Sequence, residues 1–208
     1  GRQRPMCISD TAMVEPERLL AGLGEMMEGG DVDAVKKYLT VQLDRLIHLI
    51  ELVLGSMTKE NRTKIITLIT LDVHARDVVQ KLVDSKVENP MAFLWQQQLR
   101  FAWQNDTLDV NIRITDFQTK YFYEWVGNTG RLVITPLTDR CYRTCCGALH
   151  LLYGAAPEGP AGTGKTETVN DLSKALARMC VVFNCSDGLD YLAMGKFFKG
   201  LAASGGWA

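Results

Sequence analysis

The sequence has no apolar run long enough to cross a bilayer. The nearest, residues 46–54, is interrupted by His48 and Glu51, whereas a spanning helix needs roughly 20 apolar residues. Net charge is also missing, since 23 Lys and Arg oppose 24 Asp and Glu and leave -1. Without a basic excess there is no electrostatic footprint for a nucleic-acid backbone, and neither a nucleic-acid nor a membrane partner is expected. Histidine is scarce and scattered (His48, His74, His150), and no cysteine pair has zinc-ligand spacing. Cys145 and Cys146 are adjacent, Cys180 and Cys185 bracket an apolar run, and Cys7 and Cys141 stand alone. That placement predicts reduced thiols acting as small core residues in a cytoplasmic chain, not a disulfide framework. No secretory leader is expected, because Gly1-Arg2-Gln3-Arg4-Pro5 leads into no apolar core. The first residue is Gly and the last, Ala208, closes what reads as an unfinished element, so a piece of a longer chain is expected.

What is present begins with one stretch, Gly159-Pro160-Ala161-Gly162-Thr163-Gly164-Lys165-Thr166. Gly159, Gly164, Lys165 and Thr166 fill all four defining positions of a phosphate-binding loop. Glycines let successive N–H groups close around an anion. A helix starting near Lys165 adds its unpaired N–H groups and the positive end of its dipole. In such a loop Lys165 reaches the β- and γ-phosphates, and the Thr166 hydroxyl ligates a Mg²⁺ that keeps most of its waters. The flanking pattern agrees. Residues 149–156 form an apolar run compatible with a buried strand or a helix segment. Val169, Leu172, Leu176 and Met179 recur at helical steps, and Cys180-Val181-Val182-Phe183-Asn184-Cys185 reads as a second strand before a turn. Strand, loop, helix, strand predicts the start of a parallel α/β sheet with nucleotide at the strand ends.

The chain ahead of this module reads differently. A helix from Pro16 to the Gly29-Gly30 pair carries Leu19, Leu20, Leu23, Met26 and Met27. A second, capped by Asp31 and stopped by Gly55, carries the stripe Val35, Leu39, Leu43, Leu46, Ile50 and Val53, with His48 off the stripe at the surface. A third spans about 59–85, with Ile65, Ile66, Ile69, Val73, Val79, Leu82 and Val83 as its apolar positions. A fourth, opened by Pro90, spans 91–104 with Leu94, Trp95, Leu99 and Trp103. From Leu108 the period changes to two, through Ile114 and again from Phe117 to Tyr123, predicting two half-buried strands separated near Asp116, or one bent strand. Asn128-Thr129-Gly130 marks a turn, and Thr138 or Asp139 is expected to cap a helix ending near Gly147. The predicted organisation is a helical segment over 1–105 and an α/β portion over 106–208.

Several runs carry a resemblance. Arg131-Leu132-Val133-Ile134-Thr135-Pro136-Leu137-Thr138-Asp139-Arg140-Cys141-Tyr142-Arg143-Thr144 is similar to the opening of the first AAA+ module of dynein heavy chains. Gly147-Ala148-Leu149-His150 and Ala156 through Thr168 resemble that module's phosphate loop. Phe183 through Tyr191 and Met194 through Leu201 resemble the segment after it. Upstream, Glu60-Asn61-Arg62-Thr63-Lys64 and Asp72 through Val79 resemble the C-terminal part of the family's linker, the lever lying across the ring. The wording is closer to the axonemal than to the cytoplasmic branch.

The resemblance implies a mixed α+β and α/β fold, in which a linker-like helical segment precedes the N-terminal part of a P-loop AAA+ parallel sheet. It implies a piece of the minus-end-directed microtubule motor ATPase of cilia and flagella, located in the axonemal cytoskeleton. ATP and Mg²⁺ are the implied cofactors. Gly162 to Thr166 would hold phosphates and metal, with Pro160, Ala161 and Glu167 beside them and Lys165 and Thr166 in the catalytic roles. Leu132, Val133, Ile134 and Leu137 would form the apolar wall around adenine. Implied partners are the rest of the heavy chain and the intermediate and light chains. Microtubule contact is made in the family by a stalk absent here, so no direct binding is expected. Two local departures, Cys145-Cys146 and Leu152-Tyr153-Gly154-Ala155, lie beside the loop. The acidic pair that supports Mg²⁺, the sensor residues and the neighbouring module's arginine are also not in these residues, so nucleotide binding without hydrolysis is expected. The competing readings are an unrelated small P-loop ATPase or kinase, and a truncated product that only binds partners.

Overall fold

The structure is a computed structural model that describes residue 23 and residues 33–126, 130–185 and 188–208. The expected helix over 16–29, the Asp31 cap and the turn at Asn128-Thr129 fall outside the described residues. Helix α1 (Ala34–Leu54) starts after Asp33 and stops at Gly55. Helix α2 (Lys59–Asp84) begins where the Thr58 hydroxyl accepts from the Asn61 N–H, and the two helices pack together. Among the described residues no helix is long and apolar enough to cross a membrane.

The buried face of α1 differs from the expected stripe. Val35, Tyr38, Gln42, Leu46 and Leu49 are buried, whereas Leu43 and Ile50 face solvent. The cause is polar: the Gln42 amide donates to the Asp72 carbonyl of α2, and Arg45 lies 3.2 Å from the buried Asp72 carboxylate. An apolar-only stripe misses such positions, because hydrogen-bonded polar groups can be buried. His48 is exposed, as its place off the stripe predicts. Val35, Tyr38, Val78, Val79 and Leu82 close this helical core against Trp95.

The helix expected over 91–104 is corrected to a single turn, α3 (Phe93–Gln96), followed by strand β1 (Arg100–Gln104). Five antiparallel pairs, Arg100↔Arg113 through Gln104↔Asp109, hold β1 against β2 (Asp109–Ile114). Long-range pairing thus overrides the local three-and-four spacing of Leu94 to Trp103. Strand β3 (Phe117–Lys120) pairs with the other edge of β2, so both period-two runs form strands, the second stopping at Lys120 short of the expected Tyr123. The sheet's inner residues Phe101, Ile112, Ile114 and Phe117 pack on Tyr142, Cys146, Leu172 and Leu176.

Those last residues come from helix α4 (Pro136–His150) and from helix α5 (Lys165–Ala175) with its C-cap. The cap of α4 is Thr135, not Thr138 or Asp139: Thr135 N–H donates to Thr138 Oγ1 at 2.7 Å and Thr138 N–H returns to Thr135 Oγ1, with Pro136 in the first turn. This reciprocal capping box satisfies two orphan donors at once. The helix then passes Gly147 and consumes the start of the apolar run at 149–156. Residues 151–160 carry no strand and are largely exposed. Residues 181–185 are likewise irregular, with one parallel bridge, Cys180↔Trp207, made by Val181 N–H to Trp207 O and Trp207 N–H to Met179 O. The expected parallel sheet is therefore corrected to that single bridge, and the sheet among the described residues is the antiparallel β1-β2-β3. Parallel strands need cover on both faces, and Leu152, Tyr153 and Val182 here face solvent. Helix α6 (Tyr191–Ser204) is capped by Asp190 and ends at Gly205. The five described cysteines are free thiols, and burial pushes Cys146 up to about 12.

Helices α2 and α4 meet at His74 and Asp139, whose Nε2 and Oδ1 atoms are 3.6 Å apart, beside a cavity of about 60 Å³. Burial holds the His74 imidazole below its usual range, outweighing the Asp139 and Asp77 carboxylates, while Lys81 and Arg131 act in the same direction as burial. Burial holds the Asp139 carboxyl above its usual range, against the pull of His74, Lys81 and Arg143. A depressed folded-state pKa means that the contribution of His74 is complete above about pH 6.5 and is lost as pH falls through the folded value. The contribution of Asp139 runs the other way and is lost as pH rises. The stability advantage of the wild type over His74→Gln is therefore expected to shrink as pH falls from ~7 to ~5. Urea midpoints of the two proteins across that range would measure it, and a constant gap would contradict it.

Candidate functional site

The phosphate-loop residues lie together at the N-terminus of α5. Gly162 and Gly164 both have φ of 77°, a left-handed conformation that residues with a Cβ adopt at a cost. Gly164 is the residue from which the helix departs. A Cβ built on it meets nothing within 4 Å, so Gly164→Ala is opposed by the backbone alone. It is expected to cost about 1–2 kcal/mol, read from the thermal or urea unfolding midpoint.

Lys165 folds back over its own loop. Its ammonium donates to the Gly159 carbonyl at 2.8 Å, to the Pro160 carbonyl, and to Thr163 Oγ1 at 3.4 Å. The Thr163 hydroxyl also donates to Pro160 O. The backbone N–H groups from Gly164 to Glu167 make no hydrogen bond among the described residues, whereas Ala161 and Gly162 lie in a hydrogen-bonded turn; the first helical bonds of the region are Thr168 N–H and Thr168 Oγ1–H to Gly164 O. This is a run of orphan donors at a helix start with one cation above it, an arrangement that suits an oxyanion. Ala161, Thr166 and Glu167 are exposed. The Thr166 hydroxyl opens to solvent at the first turn, the position from which a threonine can reach a hydrated Mg²⁺.

Of the four residues expected around adenine, Leu132 and Ile134 are half-buried, and Val133 and Leu137 are 67% and 71% exposed. Their connection to the loop runs through a residue the pattern reading passed over. Asp171, six positions into α5 from Lys165, is 2% exposed. It accepts from Arg131 Nε at 2.9 Å and Nη2 at 3.2 Å, from the Leu132 N–H at 3.0 Å and from the Tyr142 hydroxyl at 2.7 Å. Burial pushes its carboxyl up, but the Arg131 guanidinium and the Leu132 and Tyr142 donors outweigh it and hold it below the usual carboxylate range. Burial and the facing carboxylate together push the Tyr142 phenol up. The missed signal was a carboxylate on the inward face of α5, flanked at helical spacing by Thr168 and Ala175. No local pattern ties it to Arg131, 40 residues away.

Glycines at left-handed positions, orphan donors at a helix start and a lysine above them make a cradle suited to an oxyanion, and residues 121–208 match the family model described as the hydrolytic ATP binding site of dynein motor region. The chain is homologous to axonemal dynein heavy chains. It is 57% identical to human dynein axonemal heavy chain 12 over 184 residues, covering 88% of this chain and 6% of that protein. It is 57% identical to human dynein axonemal heavy chain 3 over 165 residues, 79% of this chain and 4% of that protein. It is 54% identical to human dynein axonemal heavy chain 6 over 183 residues, 88% of this chain and 4% of that protein. The chain thus spans only a few hundredths of the length of the curated relatives it matches.

Proposed function

We propose that this chain is the part of an axonemal dynein heavy chain that receives ATP at the first AAA+ module. The observation that carries the reading is the row of unpartnered N–H groups from Gly164 to Glu167 beneath the Lys165 ammonium. Gly159, Pro160, Ala161, Gly162, Thr163 and Gly164 form the cradle, and Lys165 exchanges its loop carbonyls for β- and γ-phosphate oxygens. The Thr166 hydroxyl would help to hold a Mg²⁺, which would supply charge neutralisation for the phosphates. Glu167 adds a carboxylate in the same exposed turn. Leu132, Val133, Ile134 and Leu137 hold the adenine, supported by the open apolar surface of Val133 and Leu137.

The groups gathered at the loop bind phosphate and metal. Orienting an attacking water is a separate task that falls elsewhere to a carboxylate or amide. We therefore assign nucleotide binding to these residues and hydrolysis, with force production on microtubules in a cilium, to the longer heavy chain and its intermediate and light chains. Microtubule contact is assigned to a stalk outside this sequence. In this reading residues 1–105 are linker-like and 106–208 belong to the module. Calorimetric titration of the 208-residue chain with ATP, with and without Mg²⁺, tests the assignment alongside a phosphate-release assay. Mg²⁺-dependent binding without turnover supports it. Turnover by the chain alone, or no binding, overturns it.

A further inference from the structure

Asp171 joins two parts of the site that are far apart in sequence. It sits on the helix that the phosphate loop begins, about 9 Å along the axis from Lys165 at about 1.5 Å per residue. Its carboxylate holds the Arg131 side chain and the Leu132 N–H, where the apolar segment starts. The far end of that segment is fixed by the Thr135 capping box of α4, and Tyr142 of the same helix closes on the second carboxylate oxygen. The backbone from 131 to 135 is thus pinned at both ends while Val133, between them, stays open to solvent.

We propose that Asp171 is a positioning residue for base recognition. Through Arg131 and Leu132 it sets where the apolar segment stands relative to the phosphate loop, so that base and phosphates are held by one rigid unit. The proposal rests on the ATP-binding reading above. It gives Asp171 no contact with the nucleotide; its effect passes through the placement of Leu132 and Val133.

The test compares two probes, Mg²⁺-ATP and Mg²⁺-tripolyphosphate, the second having no base, by calorimetry on the 208-residue chain. Asp171→Asn is expected to weaken ATP about tenfold, the size of a lost charge-assisted hydrogen bond, and to leave tripolyphosphate within about twofold. Arg131→Lys keeps the charge but loses the forked geometry, and is expected to weaken ATP about threefold with tripolyphosphate unchanged. It carries the test should circular dichroism show Asp171→Asn unfolded. Equal weakening of both probes, or no change in either, overturns the positioning role. If instead Lys165→Ala leaves both probes unaffected, the phosphate-site reading itself has failed, and the two failures are told apart.

Discussion

Lys165→Ala is expected to weaken Mg²⁺-ATP binding by about a hundredfold or more while the chain stays folded. The ammonium is the one cation bonded to the loop among the described residues, and it is held there by three oxygen acceptors: Gly159 O, Pro160 O and Thr163 Oγ1. These are weak competitors for it. A phosphate oxygen carries formal charge, and hydrogen bonds between two ionised groups are shorter and about twice as strong as neutral ones. Exchange of two carbonyls for two phosphate oxygens is therefore favourable, and alanine forfeits it entirely. The truncation also leaves the phosphates facing backbone N–H groups with no side-chain cation beside them. Because the carbonyls released are at an exposed loop, water replaces the lysine there. The unfolding midpoint is expected to move by no more than about 0.5 kcal/mol equivalent. An affinity unchanged by the substitution would remove Lys165 from the phosphate site.

The second large effect is on stability. Asp171→Ala deletes the acceptor of four hydrogen bonds at once and removes a buried carboxylate from beside Arg131, itself 6% exposed. Breaking one side of a buried pair in this way costs about 3–5 kcal/mol, a large share of the roughly 5–15 kcal/mol that holds a domain together. Replacing both partners, Asp171→Leu with Arg131→Met, is expected to recover much of the loss, since no uncompensated charge remains. Urea unfolding of the wild type, the single and the double variant measures all three. The pH dependence follows from the depressed Asp171 carboxyl. Its contribution is fully present above the unfolded value of about 3.9 and is lost as pH falls through the lower folded value. The wild type should therefore lose its advantage over Asp171→Ala only in strong acid. A gap that stays constant below about pH 4 would show that the Arg131 pair is not its source.

Much of the site was legible because its signals are local. The left-handed glycines, the lysine and the hydroxyl of a phosphate loop occupy adjacent positions, and their geometry follows from backbone sterics within a few residues. The same holds for the period-two runs that became β2 and β3, and for Gly55, which ends α1. Tertiary information was needed where a residue's environment is made by a distant partner. Leu94 to Trp103 reads as helix until Arg100 to Gln104 finds Asp109 to Arg113. The α1 stripe reads as apolar until Asp72 gives Gln42 and Arg45 a buried acceptor.

What the sequence by itself determined is the make-up of the loop, the alternation of the sheet and the kinship with axonemal dynein heavy chains, each carried by contiguous residues. Only the tertiary structure decided that the 91–104 stretch divides into a turn of helix and a strand, and that α4 starts at Pro136 and absorbs His150. It alone showed that Cys180 makes a single bridge to Trp207 while 181–185 stays irregular, and that Asp171 ties Arg131, Leu132 and Tyr142 into one buried cluster. The physical reason is plainest at Asp171. Hydrogen-bond pairing and charge burial gain their free energy from partners brought together across 29 to 40 residues at Asp171, and no window of local periodicity contains both members of such a pair.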